Sequence, residues 1–168
     1  SLVEGYGLTE SAPVRTINPL FEANMPGSAG LPIPGTVVEI MSMDNPDQPM
    51  PLGEKGEICI RGPIVMKGYL ENPEATAEAF EGGWFHSGDV GWYEVLFGRP
   101  FIFYHSRAKE IVKKGGALIS PAAFDKSVRA RFPELEDACA FGYPSAAWGE
   151  DIWMAVTFKP GVQSRRRG

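Results

Sequence analysis

The 168-residue chain contains only two cysteines and two histidines, which give neither a disulfide framework nor a metal-ligand spacing. Cys59 and Cys139 each sit in an apolar run, Ile58-Cys59-Ile60 and Ala138-Cys139-Ala140-Phe141, and so read as buried free thiols of a reducing compartment. No apolar stretch approaches the roughly 18 residues needed to span a bilayer. The first residues carry no signal-peptide pattern, so the expected location is the cytoplasm. Positive charge is scarce as well: 16 lysines and arginines stand against 21 acidic residues, a net charge of -5. That balance argues against nucleic acid or an anionic membrane as the main partner, while leaving room for a local phosphate pocket. The dense basic run Arg165-Arg166-Arg167 lies at the extreme end and reads as a solvated tail. No internal repeat or low-complexity segment is evident.

What is present is the composition of a soluble globular protein, 43% hydrophobic and 22% charged. Residues 11 to 35 are rich in Pro and Gly with little periodicity. Val37 to Met41 and Glu57 to Arg61 are strand candidates; in the second, Ile58 and Ile60 share one face and Glu57 and Arg61 the other, which predicts a sheet with one wet face. Asn72 and Pro73 predict the start of a short helix, and Gly82 and Gly83 its end. Gly91 to Arg107 reads as a hairpin, after which the chain turns basic and Gly-rich, placing a domain boundary at about Ser106 to Lys109. Ser120 and Pro121 then cap a helix to about Phe132, with Phe124 and Val128 on its inner face. Strands at Ala138 to Phe141 and Ile152 to Phe158 follow. The expected class is mixed α/β (α+β), with a β-rich part over 1-106 and a small α+β part over 107-168.

Three stretches could carry chemistry. In Gly83-Trp84-Phe85-His86-Ser87-Gly88-Asp89-Val90-Gly91, glycines bound an acid in a tight turn among aromatics. A carboxylate presented there has two oxygens, enough to accept both hydroxyls of a ribose; an Asx-type turn bonding only its own backbone is the other use. In Gly5-Tyr6-Gly7-Leu8-Thr9-Glu10, two glycines permit close backbone approach, Tyr6 offers a ring for a base, and Thr9 and Glu10 offer a hydroxyl and a carboxylate. A surface turn around a buried Tyr is the plain alternative. The third is Ser106-Arg107-Ala108-Lys109-Glu110-Ile111-Val112-Lys113-Lys114-Gly115-Gly116, where the charges could equally be a solvated edge and the glycines a hairpin turn. Trp84 and His86 read as wall residues, and Trp148 and Trp153 as packing or a docking face.

In this order, and with Gly56-Glu57-Ile58-Cys59-Ile60-Arg61-Gly62-Pro63 and Val65-Met66-Lys67-Gly68-Tyr69 between them, these stretches resemble the adenylate-forming superfamily of acyl-CoA synthetases, adenylation domains and beetle luciferases. The resemblance covers residues 5 to about 161 and is closest to long- and medium-chain fatty acyl-CoA synthetases. It implies the last, β-rich part of a large AMP-binding domain followed by the start of a small C-terminal domain. Tyr6, Gly7, Thr9, Asp89 and Arg107 would bind the nucleotide; Thr9, Glu10 and Arg107 would act in catalysis, with Glu10 as the Mg²⁺ ligand. Lys109 would be the hinge of the small domain, and Gly115 and Gly116 would face the coenzyme A tunnel.

The implied substrates are ATP, which becomes AMP, coenzyme A and a carboxylic, most closely a fatty, acid. Two positions depart from the pattern: Ser106 and Ala123 stand where the superfamily usually has acids. A phosphate loop ending in Lys-Gly and a terminal lysine, both implied, are not among the 168 residues. With no initiator Met, the chain reads as a piece of a longer one, expected to be inactive alone and to expose apolar surface that drives self-association. A non-catalytic AMP-binding or interaction module, and an adenylation-domain or luciferase-like member, are the alternative readings.

Overall fold

A computed structural model describes residues 3–20 and 24–162; the Arg165 to Arg167 run lies outside the described residues. The chain divides into two compact units, residues 1–108 and 109–168.

The first unit holds two antiparallel sheets. Strands β1 (Gly5–Gly7), β2 (Val14–Ile17) and β3 (Leu31–Pro32) form one, in the order β1-β2-β3. Strands β4 (Val37–Met41), β5 (Gly56–Arg61), β6 (Phe85–Leu96) and β7 (Arg99–Arg107) form the other in chain order. A backbone pair joins the two sheets: Ala29 N–H donates to Ile102 O at 2.7 Å and Ile102 N–H to Gly30 O at 3.0 Å. The core between them gathers Leu8, Ala29, Val38, Ile40, Ile58, Ile60, Phe85 and Ile102.

The Pro/Gly-rich stretch that lacks periodicity is held by side chains in place of long ladders. Thr16, Asn18 and Ser28 are all buried. The Thr16 hydroxyl donates to Ala29 O at 2.6 Å, Asn18 Nδ2 donates to Ser28 O at 2.9 Å, and Gly27 N–H donates to Glu4 Oε2 at 2.6 Å.

The face of β5 expected to be wet is only partly so. Glu57, Cys59 and Arg61 do share it and Arg61 is exposed, but Cys59 is fully buried there, as expected of that thiol, and Arg61 lies 4.0 Å over the Trp84 ring while its Nε donates to Gly83 O at 2.6 Å. The 81–84 segment therefore covers what alternation alone leaves open to water.

Helix α1 (Pro73–Ala79) starts where expected: Asn72 Oδ1 accepts Ala75 N–H at 3.1 Å and Pro73 takes the first position. None of its residues is buried, so the cap supplies a large share of its stability. Asn72→Ala is expected to lower the unfolding free energy by about 1 kcal/mol and Asn72→Ser to restore it, as read by urea denaturation.

The hairpin is longer than its expected start at Gly91. β6 begins at Phe85, and the chain reverses at Phe97 and Gly98, both left-handed at φ 53 and 71, the twist that a two-residue turn between right-twisted strands requires. Counting outward from the turn, pairs run regularly to Gly91 and Tyr104; β7 then carries one extra residue, His105, and the next pairs are Val90 with Ser106 and Asp89 with Arg107. Asp89 thus lies within a strand and not in a turn.

In the second unit, β8 (Val112–Lys114) and β9 (Ala117–Ile119) form a hairpin, helix α2 (Pro121–Arg131) follows, and β10 (Leu135–Ser145) pairs with β11 (Gly149–Phe158), giving the order β10-β11-β8-β9. Ser120 Oγ caps α2 at Ala123 N–H, and Asp125 Oδ1 accepts Ala140 N–H at 2.6 Å, tying helix to sheet. Two expectations fail here. Phe124 is 40% exposed, and Cys139 is an exposed thiol rather than a buried one. Periodicity shows which face a side chain shares, but not whether anything covers that face. Ala123 is exposed as well.

Candidate functional site

The first unit carries an open cavity of about 480 Å³ bordered by Glu4, Tyr6, Gly7, Ser28, Asp89, Tyr104 and Arg107. Its polar side is a chain of three groups. The Tyr6 hydroxyl donates to Asp89 Oδ2 at 2.6 Å, and Arg107 Nε stands 3.1 Å from Asp89 Oδ1. Asp89 is 1% exposed, whereas the Arg107 side chain keeps 44% of its surface. Burial, with the Asp89 carboxylate next in weight, pushes the Tyr6 hydroxyl well above its ordinary range, so it stays a donor at any physiological pH.

Strand pairing sets this geometry. Asp89 and Arg107 meet because they are cross-strand partners. Tyr6 reaches them from β1, where its partner is Thr16. The Tyr6 ring lies against that of Tyr104, centroids 6.3 Å apart at 29°, so a planar ligand would meet two aromatic rings and not one. Both carboxylate oxygens of Asp89 are engaged, but a carboxylate offers about four lone-pair sites, and acceptance from a diol remains open at those left over.

Of the residues singled out in the sequence, Tyr6, Gly7, Asp89 and Arg107 are brought to one cavity. Thr9 and Glu10 do not border it. They lie on a 3-10 turn, Thr9–Ser11, that ends at Ala12 in the left-handed region, φ 49. The Glu10 carbonyl accepts Met66 N–H at 2.8 Å, and its carboxylate accepts the Tyr69 hydroxyl at 3.3 Å. The backbone carries Glu10 away from Tyr6 toward the 65–69 segment, although only three residues separate them.

Gly7 borders the cavity and is also tight against its own chain: a Cβ there would lie 1.7 Å from Pro13 O. Lys109 is exposed in a 3-10 turn, Ala108–Glu110. Gly115 and Gly116 form the β8–β9 turn with φ 55 and 85, and the space beside Gly115 is filled by the Trp148 ring, 2.9 Å from where a Cβ would stand. The room expected there for a thin ligand arm is therefore present only at Gly116, which has nothing within 4 Å. Trp153 stacks on Tyr143 at 4.4 Å.

Sequence reasoning did not single out Glu4, Ser28, Tyr104 or Arg15. Tyr104 carried a signal, since it ends the aromatic run on the strand that pairs with Asp89. The others carried none. Arg15 is the extra residue of a bulge: Tyr6 pairs with Thr16, but Gly7 pairs with Val14. The bulge breaks alternation, so Arg15 and Thr16 are both buried. Among the described residues, no Arg15 guanidinium nitrogen has a hydrogen-bond partner; its head lies 5.3 Å from the Phe85 ring. Burial lowers its pKa to about 10, opposed by the Tyr6 and Glu10 charges. Ser106, at a position of departure, is buried with a hydroxyl unpartnered among the described residues.

The carboxylates that border the cavity are Glu4 and Asp89, while that of Glu10, expected as the magnesium ligand, accepts the Tyr69 hydroxyl outside it. One carboxylate completed by phosphate oxygens and water is a usual arrangement for that ion. No helix among the described residues is long and apolar enough to cross a membrane.

Comparison with known proteins finds relatives along the chain. The family of AMP-binding enzymes matches over residues 1–70. A probable CoA ligase of Humulus lupulus is 41% identical over 164 residues, 96% of this chain and 30% of its own length. An oxalate–CoA ligase of Arabidopsis thaliana is 37% identical over 96% of this chain and 30% of its own length. A long-chain-fatty-acid–CoA ligase of Escherichia coli is 36% identical over 94% and 27%. The crystal structure of ATP-bound MatB from Rhodopseudomonas palustris superposes with a TM-score of 0.78 at 29% identity, covering 98% of this chain and 32% of that one. The chain thus spans about 30% of the length of the curated relatives it matches. The fold is that of adenylate-forming enzymes, mixed α/β and mostly antiparallel.

Proposed function

Because this chain belongs to the family of AMP-binding enzymes, we propose that it carries the adenosine-binding wall of an ATP-dependent acid–CoA ligase. In that reaction a carboxylate attacks the α-phosphate of ATP, pyrophosphate leaves, and the thiolate of coenzyme A displaces AMP from the acyl-adenylate. The observation that carries the reading is the Tyr6–Asp89–Arg107 chain beside an open cavity. Asp89 accepts the ribose hydroxyls, Tyr6 and Tyr104 flank the base, and the exposed guanidinium of Arg107 turns toward phosphate. Glu10, with Thr9 beside it, would hold a magnesium ion, whose charge would offset that of the phosphates. Lys109, at the first position of the second unit, serves as a hinge, and Gly116 with Gly115 borders the path of the coenzyme A arm. On this reading 1-106 ends the large domain, 107-168 begins the small one, and the enzyme works in the cytoplasm. A fatty acid is the substrate proposed, supported by the Escherichia coli relative; the Arabidopsis thaliana relative shows that similar chains occur in ligases named for other acids.

The test is titration of the purified chain with AMP, followed calorimetrically. Binding is expected, and Asp89→Ala should weaken it by at least about tenfold, the loss of one charge-assisted contact. Equal affinity in the two proteins would end the proposal.

A further inference from the structure

Asp89 enters the cavity from a part of β6 that has left register with β5. Glu57 pairs with Val90 and Cys59 with His86, so one residue of β5 faces three of β6, Ser87 to Asp89. Toward β5 a bulge of that size lacks ladder bonds to hold its shape, although Asp89 keeps its pairing with Arg107 of β7 and its N–H donates to Ser87 Oγ at 3.1 Å, and Gly88 within it is left-handed at φ 68. What replaces the ladder is a side chain. Glu57 Oε1 accepts the Gly88 N–H at 2.8 Å, and Glu57 Oε2 lies 2.8 Å from His86 Nδ1. His86 Nε2 is in turn 3.2 Å from Glu81 O, so both ring nitrogens face acceptors. Glu57 and His86 are mostly buried, with 18% and 13% of their side chains exposed.

We propose that Glu57 and His86 are positioning residues: the carboxylate clamps the Gly88 amide, the imidazole orients the carboxylate, and together they set where Asp89 stands in the cavity. The consequence for ligand binding rests on the reading of Asp89 as the ribose acceptor; the clamp itself does not. Soft-metal binding is the competing use of this corner, since Cys59 Sγ is 3.4 Å from His86 Nδ1 and the three groups lie within 4.8 Å of one another. The hydrogen bonds favour the clamp. Both Glu57 oxygens are already engaged, and the His86 nitrogen nearest the thiol is the one that faces Glu57.

The test follows backbone amide exchange by NMR in the chain and in Glu57→Leu and Glu57→Gln, with AMP affinity measured on the same samples. Glu57→Leu should speed Gly88 amide exchange by about tenfold or more while leaving the β4 amides protected, which separates a local release from general unfolding. Glu57→Gln keeps an acceptor and should keep Gly88 protected. AMP affinity should follow Gly88 protection across the three proteins. Unchanged Gly88 exchange in Glu57→Leu would overturn the proposal, as would stoichiometric zinc binding that frees the Gly88 amide. Unchanged AMP affinity in Glu57→Leu would overturn the link to Asp89. If no protein of the set binds AMP yet Gly88 responds as expected, the clamp stands and the nucleotide reading falls.

Discussion

Replacing Arg15 with methionine is expected to raise the unfolding free energy of the chain by on the order of 3 kcal/mol near neutral pH. The side chain is fully buried, and its guanidinium nitrogens have no hydrogen-bond partner among the described residues. A buried cation without a partner costs several kcal/mol in lost hydration. The fall of its pKa from the ordinary guanidinium range to about 10 corresponds to roughly 3 kcal/mol at about 1.4 kcal/mol per tenfold. The contact with the Phe85 ring returns a fraction of that as a cation–π attraction, and a methionine sulfur keeps much of the same contact. The pH dependence has a definite sign. Because the folded-state pKa is depressed, the unfolded chain binds more protons from about pH 10 up to the ordinary guanidinium range, and the penalty is complete below that window. The stability gap between the two proteins should therefore be flat through neutral pH and narrow as the pH rises past about 10. Paired denaturant titrations at several pH values measure it. A destabilised Arg15→Met would reverse the conclusion and mean that an anion accompanies the guanidinium in solution.

The reason Arg15 escaped notice in the sequence is the reason other parts did not. Asn72-Pro73 and Ser120-Pro121 are legible because a cap acts over three residues, and the structure uses both. The alternation of Glu57 to Arg61 is legible because a strand has a fixed period, and it assigns the two faces correctly. The fate of each face depends on distant chain, which is how Cys59, a buried thiol as expected, lies on a face otherwise read as wet, while Phe124 and Cys139 remained in the open. The same distinction governs the site. Asp89 and Arg107 stand 18 positions apart, yet one hairpin makes them partners, and only the bulge at His105 hides this from simple counting. Tyr6 and Glu10 are neighbours in sequence, yet a 3-10 turn ending at a left-handed Ala12 parts them. Bulges at Arg15, at Ser87 to Asp89 and at His105 each set a site residue, and bulges are the feature that a period-two pattern cannot announce.

The bulge beside Arg15 also makes Gly7 the position of greatest structural demand at the site. A Cβ at Gly7 would lie 1.7 Å from Pro13 O and 2.6 Å from its carbonyl carbon, far inside contact distance, against backbone that has no rotamer with which to give way. At Gly5, two residues earlier on the same strand, the nearest approach is 3.0 Å to Thr16 O, tight but relieved by a small shift. Gly7→Ala is accordingly expected to cost more than about 4 kcal/mol, in the range reserved for severe backbone or core defects, and Gly5→Ala about 1 kcal/mol. Urea denaturation of the two variants checks the contrast. The damage should propagate to the site, because separating Gly7 from Val14 draws Tyr6, the next residue in β1, away from Asp89. Restored stability in added osmolyte without restored AMP affinity would show that displacement directly. Equal, mild losses at both glycines would instead mean that β1 is free to rise from β2, and that the placement of Tyr6 at the carboxylate does not depend on their close approach.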